Sequence, residues 1–300
     1  TEPRDEVDVD PHLPTLRFAN VTPFPRSGGM AGVGASVSLG AGSAFGNPAE
    51  YGRLNATGDL EVARTAWISK VTHRAIAGGI RPWEGRFGAL GAAGRWVSFS
   101  EYRMTARAEN ERGYEDLGTF APSARELILS YGIEVTEQFA LGISGKQLRE
   151  VPTTIVSERN GRRGISPIVR KGFAYDVGLI FGPVADVVRF GATIRNGAPG
   201  SNGGSAGRRV NQVGGAVRLL DLAERFGVSI RPDNHRLMLV AERHWGERIT
   251  PTTRLGTEYA FRETLFLRAG LVPSRSRSRY SLGAGGRLRV FGLAVEGAYA

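Results

Sequence analysis

Several features that are common in folded proteins are missing from this sequence of 300 residues. It contains no cysteine, which excludes a disulfide scaffold, a cysteine-based metal site and a cysteine nucleophile. It also has no apolar run of about 18 residues, the length from which a transmembrane helix is built. Strands that cross a membrane need only about 9–11 residues and give a weak signal, so a membrane-spanning sheet is compatible with this sequence.

Lysine is scarce as well, because only Lys70, Lys146 and Lys171 are present. Arginine therefore supplies nearly all of the positive charge, and the net charge is +10. The arginines are spread along the chain, form no compact basic helix and accompany no nucleic-acid-binding motif. We therefore predict no nucleic-acid partner. A basic surface suits the anionic groups of lipopolysaccharide. We expect the partners to include a lipid bilayer and lipopolysaccharide.

The dominant pattern is an alternation of apolar with small or polar residues at a period of two. Side chains alternate faces along a strand, so each such segment has one apolar face. Glycine, with 42 copies, is spread through these segments and suits tight bends and a crowded lumen. The clearest segments carry Leu127, Leu129, Tyr131 and Ile133, then Phe173, Tyr175, Val177, Leu179 and Phe181, and finally Phe291, Leu293, Val295 and Tyr299. Together they predict one large closed sheet.

Thirteen segments qualify as strands. They cover residues 59–69, 72–81, 87–104, 124–135, 138–149, 168–182, 185–196, 209–220, 235–245, 251–261, 264–273, 278–288 and 290–300. Short links alternate with long polar ones at 105–123, 150–167 and 197–208. Short turns on one side and long loops on the other are typical of outer-membrane barrels. Such barrels have even strand numbers, so we expect a further strand beyond residue 300, or one within the N-terminal part.

The N-terminal part predicts two further regions. Residues 1–20 are acidic and without periodicity, and are expected to form a periplasmic tail. Residues 21–57 are too rich in glycine for a stable helix and are expected to form a plug inside the barrel, which occupies 58–300. A short helical turn is predicted to begin at Pro48, with Asn47 as its N-cap.

A series of motifs follows this organisation in order. In the plug the series comprises Gly28, Gly29 and Met30, then Gly46, Asn47, Pro48 and Ala49. Further segments lie at 118–121, 129–132, 139–146, 172–178, 195–197 and 255–259. The ordered series resembles the PorV/PorQ-like outer-membrane proteins, which are related to FadL-type transporters of hydrophobic compounds. Residues 222–232 depart from the family pattern as an insert.

The resemblance implies a transmembrane antiparallel β-barrel of about 14 strands with a small N-terminal plug, in the outer membrane after removal of a signal peptide. It implies a non-enzymatic protein of a type IX secretion system that binds partner or cargo proteins through its extracellular loops. Two alternatives are a FadL-like transporter of hydrophobic small molecules and a structural subunit of a larger envelope complex.

Charged residues of both signs are predicted to face the lumen. The candidates are Glu126, Glu134, Lys146, Asp176, Arg189, Arg195, Arg254, Glu258, Arg268 and Glu296. They either line a substrate path or pair with one another across a filled lumen, since buried charges must be paired. Glu258 and Arg268 lie on neighbouring strands across a short turn, which predicts a cross-strand ion pair.

No pattern indicates catalysis or a cofactor. The four histidines share no face with ligand spacing, and no nucleophile elbow accompanies the serines, so we expect no metal, no cofactor and no catalytic site. Trp67, Trp83, Trp96 and Trp245, with Tyr102 and Tyr259, are predicted near strand ends and form interface girdles. Arg64 and Arg243 lie on the apolar side of their strands. Because a mid-membrane arginine costs about 2–4 kcal/mol, we expect both near an interface or at a protein–protein contact.

Overall fold

A computed structural model describes residues 17–54, 57–66, 70–152, 154–159, 162–184, 187–197, 223–231, 236–246, 249–262, 264–290 and 293–299. The strands are β1 (Gly58–Ala66), β2 (Thr72–Ile80), β3 (Ala89–Ser98), β4 (Tyr102–Arg107), β5 (Tyr114–Phe120), β6 (Ser123–Thr136), β7 (Phe139–Val151), β8 (Thr154–Arg159), β9 (Arg162–Pro167), β10 (Arg170–Val184), β11 (Val188–Gly197), β12 (Ala223–Ile230), β13 (Leu237–Gly246), β14 (Ile249–Phe261), β15 (Leu265–Val272), β16 (Arg279–Val290) and β17 (Leu293–Tyr299).

Thirteen of these strands form one antiparallel sheet whose order follows the chain. The remaining four form two separate hairpins, β4–β5 and β8–β9, in the long loops at one end of the sheet. Among the described residues no ladder joins β1 to β17. The fold is therefore an all-β meander of long strands, with hairpin extensions on one side and short links on the other.

The predicted alternation is confirmed along the strands. On β6, Leu127 and Leu129 face outward and are exposed, whereas Ile128 between them is buried. On β10, Phe173 is 67% exposed, and Ile180 is fully buried on the opposite face. An outer face of large exposed apolar side chains suits hydrocarbon better than water. The sheet therefore has an apolar outer face and a small or polar inner face.

Residues 17–54, called the N-terminal segment below, lie against the inner face of the sheet. The segment contains 3₁₀ helices at Arg17–Asn20, Gly40–Phe45 and Pro48–Arg53 and one turn of α-helix, α1 (Pro25–Gly29). Proline begins two of these helices, because its missing N–H costs nothing at the first helical position. The high glycine content keeps them short. Another 3₁₀ helix, Pro82–Gly85, lies in the link between β2 and β3.

The sheet curves around this segment. Its inner wall contacts the segment from β1, where Asp59 accepts a hydrogen bond from the Ala41 N–H at 2.6 Å, to β16, where the Ser281 hydroxyl accepts one from the Ala31 N–H at 2.9 Å. Phe24 and Phe45 pack against each other in the apolar core between the segment and the wall, with 5.5 Å between their ring centroids. Phe18 and Ala19, which the sequence placed in the tail, also pack against the inner wall.

The predicted strand at 209–220 lies outside the described residues. Other predictions need correction, because the stretch interpreted as an insert contains a strand, β12, at Ala223–Ile230. Its alternation was present in the sequence, and pairing with β11 sets its register. The predicted strand at 87–104 ends at Ser98 in this structure. Loops 105–123 and 150–167 contain hairpin strands, which the sequence did not reveal because β4 and β5 are largely exposed on both faces.

Candidate functional site

The candidate site is the interior of the curved sheet, where the N-terminal segment meets the wall. Nine strands each contribute an inward glycine at which an added Cβ would strike the segment. This glycine belt consists of Gly79, Gly91, Gly132, Gly142, Gly178, Gly191, Gly227, Gly256 and Gly270. Several belt members are direct cross-strand partners, such as Gly132 with Gly142 and Gly142 with Gly178. The belt lets the backbone of the segment approach the backbone of the wall.

Asn47 joins the segment to itself and to the wall. Its side-chain oxygen accepts a hydrogen bond from the Ala49 N–H at 3.0 Å, which caps the helix that begins at Pro48. Its amide nitrogen donates to the carbonyl oxygen of Ala35 at 2.6 Å and to that of Leu179 on β10 at 3.0 Å. An amide side chain is suited to this position because it both accepts and donates hydrogen bonds.

Tyr51 of the segment packs against the part of the glycine belt that lies on β2 and β3. Its ring lies against Gly79 and Gly91, and its hydroxyl donates to the carbonyl oxygen of Ala41 at 2.6 Å. Burial raises the pKa of the Tyr51 hydroxyl, and the nearby carboxylates of Asp59 and Glu61 act in the same direction. The hydroxyl therefore stays protonated and remains a donor.

Arg95 anchors the start of the segment. Its guanidinium is fully buried and lies over the rings of Phe18 and Phe45, with 5.2 and 5.1 Å between the guanidinium carbon and the ring centroids. It pairs with Glu126 on β6 and donates to the carbonyl oxygen of Val21. Arg95 was not among the predicted lumen charges, although it lies at even spacing from Gly91 on β3.

A network of buried charges continues from this anchor. Lys146 lies 2.5 Å from Asp176 and 3.8 Å from Glu126, and Arg195 donates to Asp176 at 3.1 Å. Across the lumen, Glu242 accepts hydrogen bonds from the N–H groups of Gly34 and Ala35 at 2.7 and 2.6 Å. In this part of the lumen the charges pair with one another and with the segment.

Glu258 pairs with the segment and the wall at once. Arg26 approaches both of its oxygens, at 3.0 and 2.7 Å, and Arg268 on β15 donates to it at 2.6 Å. The Glu258–Arg268 contact is the cross-strand pair that the sequence predicted, and the two residues are register partners. The contribution of Arg26 was not foreseen.

Replacing Glu258 by glutamine is expected to lower the free energy of unfolding by about 3 kcal/mol, because two arginines lose their carboxylate in a buried site. Urea unfolding of the full chain in lipid vesicles measures this change. Glu111→Gln, in the exposed loop at residues 108–113, removes the same charge and should change stability by less than about 0.5 kcal/mol. Equal stability of the two variants would contradict a structural role for the Glu258 pair.

Arg225 on β12 is 6% exposed, and no hydrogen bond or salt bridge joins it to a described residue. Glu242 and Asp176 act on its charge from a longer distance. Its Nε, the Nη2 of Arg195 and the hydroxyl of Thr193 are all buried without a hydrogen bond. Thr193 is the register partner of Arg225, and Arg195 lies two residues further along the same face. Three unsatisfied polar groups therefore lie close together on the inner wall.

The outer wall carries an apolar depression of about 480 Å³ at the same place. Its apolar lining comprises Val177, Leu179, Ala192, Ile194, Phe226 and Trp245. The lining also includes Thr193 and Arg225, whose side chains face inward. Only the thickness of the sheet therefore separates this outer apolar depression from the buried Arg225. The ladder between β10 and β11 is irregular nearby, between Tyr175 and Val177.

Within the described ranges, no three histidine, aspartate or glutamate side chains are grouped so that they could hold a metal ion. No helix in the described part of the chain is long and apolar enough to cross a membrane.

Solved structures with this architecture are known. The chain is similar to the toluene transporter TodX of Pseudomonas putida, with 11% identity over 91% of this chain and 94% of that one and a TM-score of 0.56. It is also similar to a FadL homologue of Pseudomonas aeruginosa, with 14% identity over 93% and 89% of the two chains and a TM-score of 0.54. No protein-family model and no curated protein sequence matches the chain.

The chain has the fold of the FadL-like barrels. The similarity covers about nine-tenths of both chains, so it includes most of the sheet. The FadL part of the resemblance found in the sequence is thus supported at the level of fold. The narrower assignment to PorV/PorQ proteins gains no support from these comparisons.

The site residues that the sequence predicted lie in two places: the motif residues in the N-terminal segment and the charged residues on the wall. Of the motif residues, Gly29, Met30, Gly46, Asn47, Pro48 and Ala49 are buried, and Gly28 is half-buried. Glu126, Lys146, Asp176, Arg195, Glu258 and Arg268 are buried and paired. The side chain of Glu296 lies outside the described part of the structure.

Besides Glu258, three of the selected charges join the segment to the wall. Arg189 lies 3.5 Å from Glu50, and Glu134 lies 3.8 Å from Arg53. Arg254 donates to the carbonyl oxygen of Ala31 at 2.8 Å. The glycine belt and Arg225 were missed as sites. The belt is visible in the sequence only as inward glycines at even spacing from charged positions. Arg225 was missed because it lies in the stretch that was interpreted as an insert.

Proposed function

We propose that this protein carries hydrophobic molecules with an anionic head group across the outer membrane, without bond chemistry and without a cofactor. The observation that carries the proposal is Arg225, a buried cation with no ion-pair or hydrogen-bond partner among the described residues. Burying an unpaired charge is costly, and an anionic guest would remove that cost. The neighbouring free polar atoms of Thr193 and Arg195 would complete its hydrogen bonding.

The balance of charge in this part of the lumen supports an anion. The charges that act on Arg225 are those of Arg195, Arg254, Glu242 and Asp176. Three arginines therefore share two carboxylates at this place, and Asp176 also pairs with Lys146. A fatty acid has the matching chemistry, since its carboxylate can pair with a guanidinium through two hydrogen bonds while its chain remains on apolar surface.

The similarity to TodX and to a FadL homologue supports transport of a hydrophobic compound rather than secretion. The apolar outer face supports a location in the bilayer, because exposed Leu129, Phe173 and Leu267 would be unfavourable in water. The N-terminal segment contacts the inner wall from β1 to β16, so passage through the interior requires the segment to shift. Its attachment through hydrogen bonds and ion pairs, rather than through strands of the sheet, is compatible with such a shift.

Uptake of labelled dodecanoate by Gram-negative cells that lack their own fatty-acid transporter tests the proposal. Cells that make the full chain should accumulate dodecanoate several-fold faster than cells with an empty vector, and a disaccharide should enter both at the same rate. Equal entry of dodecanoate into both strains would overturn the proposal. Faster entry of the disaccharide would indicate an unselective pore.

The secretion role and the structural-subunit role predict a different result. Either would require partner chains in fixed ratio when the protein is purified from its native membrane. Recovery of the chain with stoichiometric secretion proteins, together with no effect on dodecanoate uptake, would favour these roles over transport.

A further inference from the structure

A row of cations crosses the outer face of the sheet at the end that carries the hairpin loops. Its members are cross-strand partners on six neighbouring strands, β1, β2, β3, β6, β7 and β10. The row consists of Arg64, Arg74, Trp96, Arg125, Arg149 and Lys171. We call it the cationic row. Five of its six positions are basic and none is acidic, which is unusual because like charges on adjacent strands repel one another.

The position of the row relative to the apolar surface is informative. The next outward positions on the same strands include Val62, Ile76, Leu127 and Phe173. On β10 the outward side chains then stay apolar or aromatic as far as Phe181, about 33 Å along the strand from Lys171. Strands tilted by about 40° make this span match an apolar band of roughly 25 Å. The cationic row therefore lies at one edge of the band, at the depth of lipid head groups.

The row also contains a concave site. A depression of about 300 Å³ opens on the outer face between β3, β6 and β7. Its side chains include Trp96, Arg125 and Arg149 from the row, with Ser98, Ser123 and Val151 on the side of the loops. The Nε of Arg149 is buried without a hydrogen bond. None of the five cations has an ion-pair partner within the described residues.

We propose that the cationic row is a binding site for the phosphate groups of a phosphorylated lipid in the outer leaflet, with one phosphate seated in the depression beside Arg125 and Arg149. Guanidinium groups bind phosphate through two parallel hydrogen bonds, and the serine hydroxyls supply further donors. Trp96 offers an apolar face to the sugar or acyl part of the same lipid. Repulsion among the cations is relieved when the phosphates bind.

The site explains why Arg64 lies on an apolar face. At the edge of the band an outward arginine costs little, and beside a phosphate it becomes favourable. Arg243 lies outside the row, on β13, and donates to the hydroxyl of Thr253 at 2.8 Å. The inference rests on the membrane location that the proposed function requires, but it does not depend on what is transported.

Binding of diphosphoryl lipid A to the full chain in an uncharged detergent tests the site. The double variant Arg125→Gln, Arg149→Gln should bind about thirtyfold more weakly than the parent, roughly fivefold for each cation removed. The matched control, Arg86→Gln with Arg262→Gln, removes the same charge from the opposite end of the sheet and should bind within about twofold of the parent. Lipid A without phosphates should bind parent and double variant equally.

Several results would overturn the inference. These are equal affinity of the double variant and the control for diphosphoryl lipid A, an equal loss with phosphate-free lipid A, or displacement of the lipid by millimolar inorganic phosphate. If the double variant does not fold, Arg74→Gln with Lys171→Gln replaces it, since both side chains are exposed. Retained lipid A binding without dodecanoate uptake would count against the proposed function alone.

Discussion

Replacement of Gly142 by leucine is expected to push the N-terminal segment away from the inner wall of the sheet. An added Cβ at this position would lie 2.5 Å from the carbonyl oxygen of Pro48 and closer still to the Ala49 nitrogen. These are backbone atoms next to the Asn47 cap, so they cannot move aside as a flexible side chain would. We expect a loss of about 3 kcal/mol in the free energy of unfolding and a larger ion conductance in planar bilayers.

Gly145→Leu is the matched control on the same strand. Gly145 faces outward, and an added Cβ there would meet nothing within 4 Å. The leucine would lie against lipid, so stability and conductance should stay close to those of the parent. If Gly142→Leu behaves like Gly145→Leu in both measurements, the close approach of segment and wall has no role in sealing the lumen.

Replacement of Arg225 by methionine is expected to separate uptake of acids from uptake of neutral compounds. Methionine keeps much of the length of the side chain and removes its charge. Dodecanoate uptake should fall about tenfold, the value of one hydrogen-bonded charge, whereas toluene uptake should be unchanged. Because the parent residue is buried and unpaired in the described structure, the variant should be at least as stable as the parent.

Arg225→Lys provides the control for charge. It keeps the cation and loses the forked geometry, so it should retain a substantial part of dodecanoate uptake. The measurement is the initial rate of entry of labelled dodecanoate and of toluene into the same cells. A parallel loss of both compounds in Arg225→Met would show that the residue acts through the shape of the lumen and not through an anionic head group.

The resemblance to PorV/PorQ proteins and the structural similarity to FadL-like barrels have a common physical origin. The motifs behind the resemblance include Asn47–Pro48–Ala49 and several inward glycines, among them Gly132, Gly142 and Gly178. In the structure these residues meet one another, because a segment that lies flat on the inner wall needs glycine on the wall and a capped turn on the segment. Such motifs report a packing requirement, so they indicate the fold and say little about what is carried or bound.

The pairing of lumen charges could be predicted only in part. Glu258 and Arg268 were recognisable because a short turn sets their register. The partners Arg26, Glu50 and Arg53 come from the N-terminal segment, and sequence separations of up to 232 residues hide such contacts from any local pattern. For the same reason the sequence showed that charges face inward without showing which of them form salt bridges in the described structure.

The sequence by itself determined the all-β class, the inward and outward faces of most strands, and the side of the sheet with long loops. Those properties depend on a two-residue period and on local turn residues, which a single strand or link contains. Tertiary structure decided the register of β12, the close fit of the glycine belt to the segment, the lack of a salt bridge from Arg225 to any described residue, and the alignment of the cationic row. Each of these depends on which residues of separate strands become neighbours, and only the folded sheet sets that order.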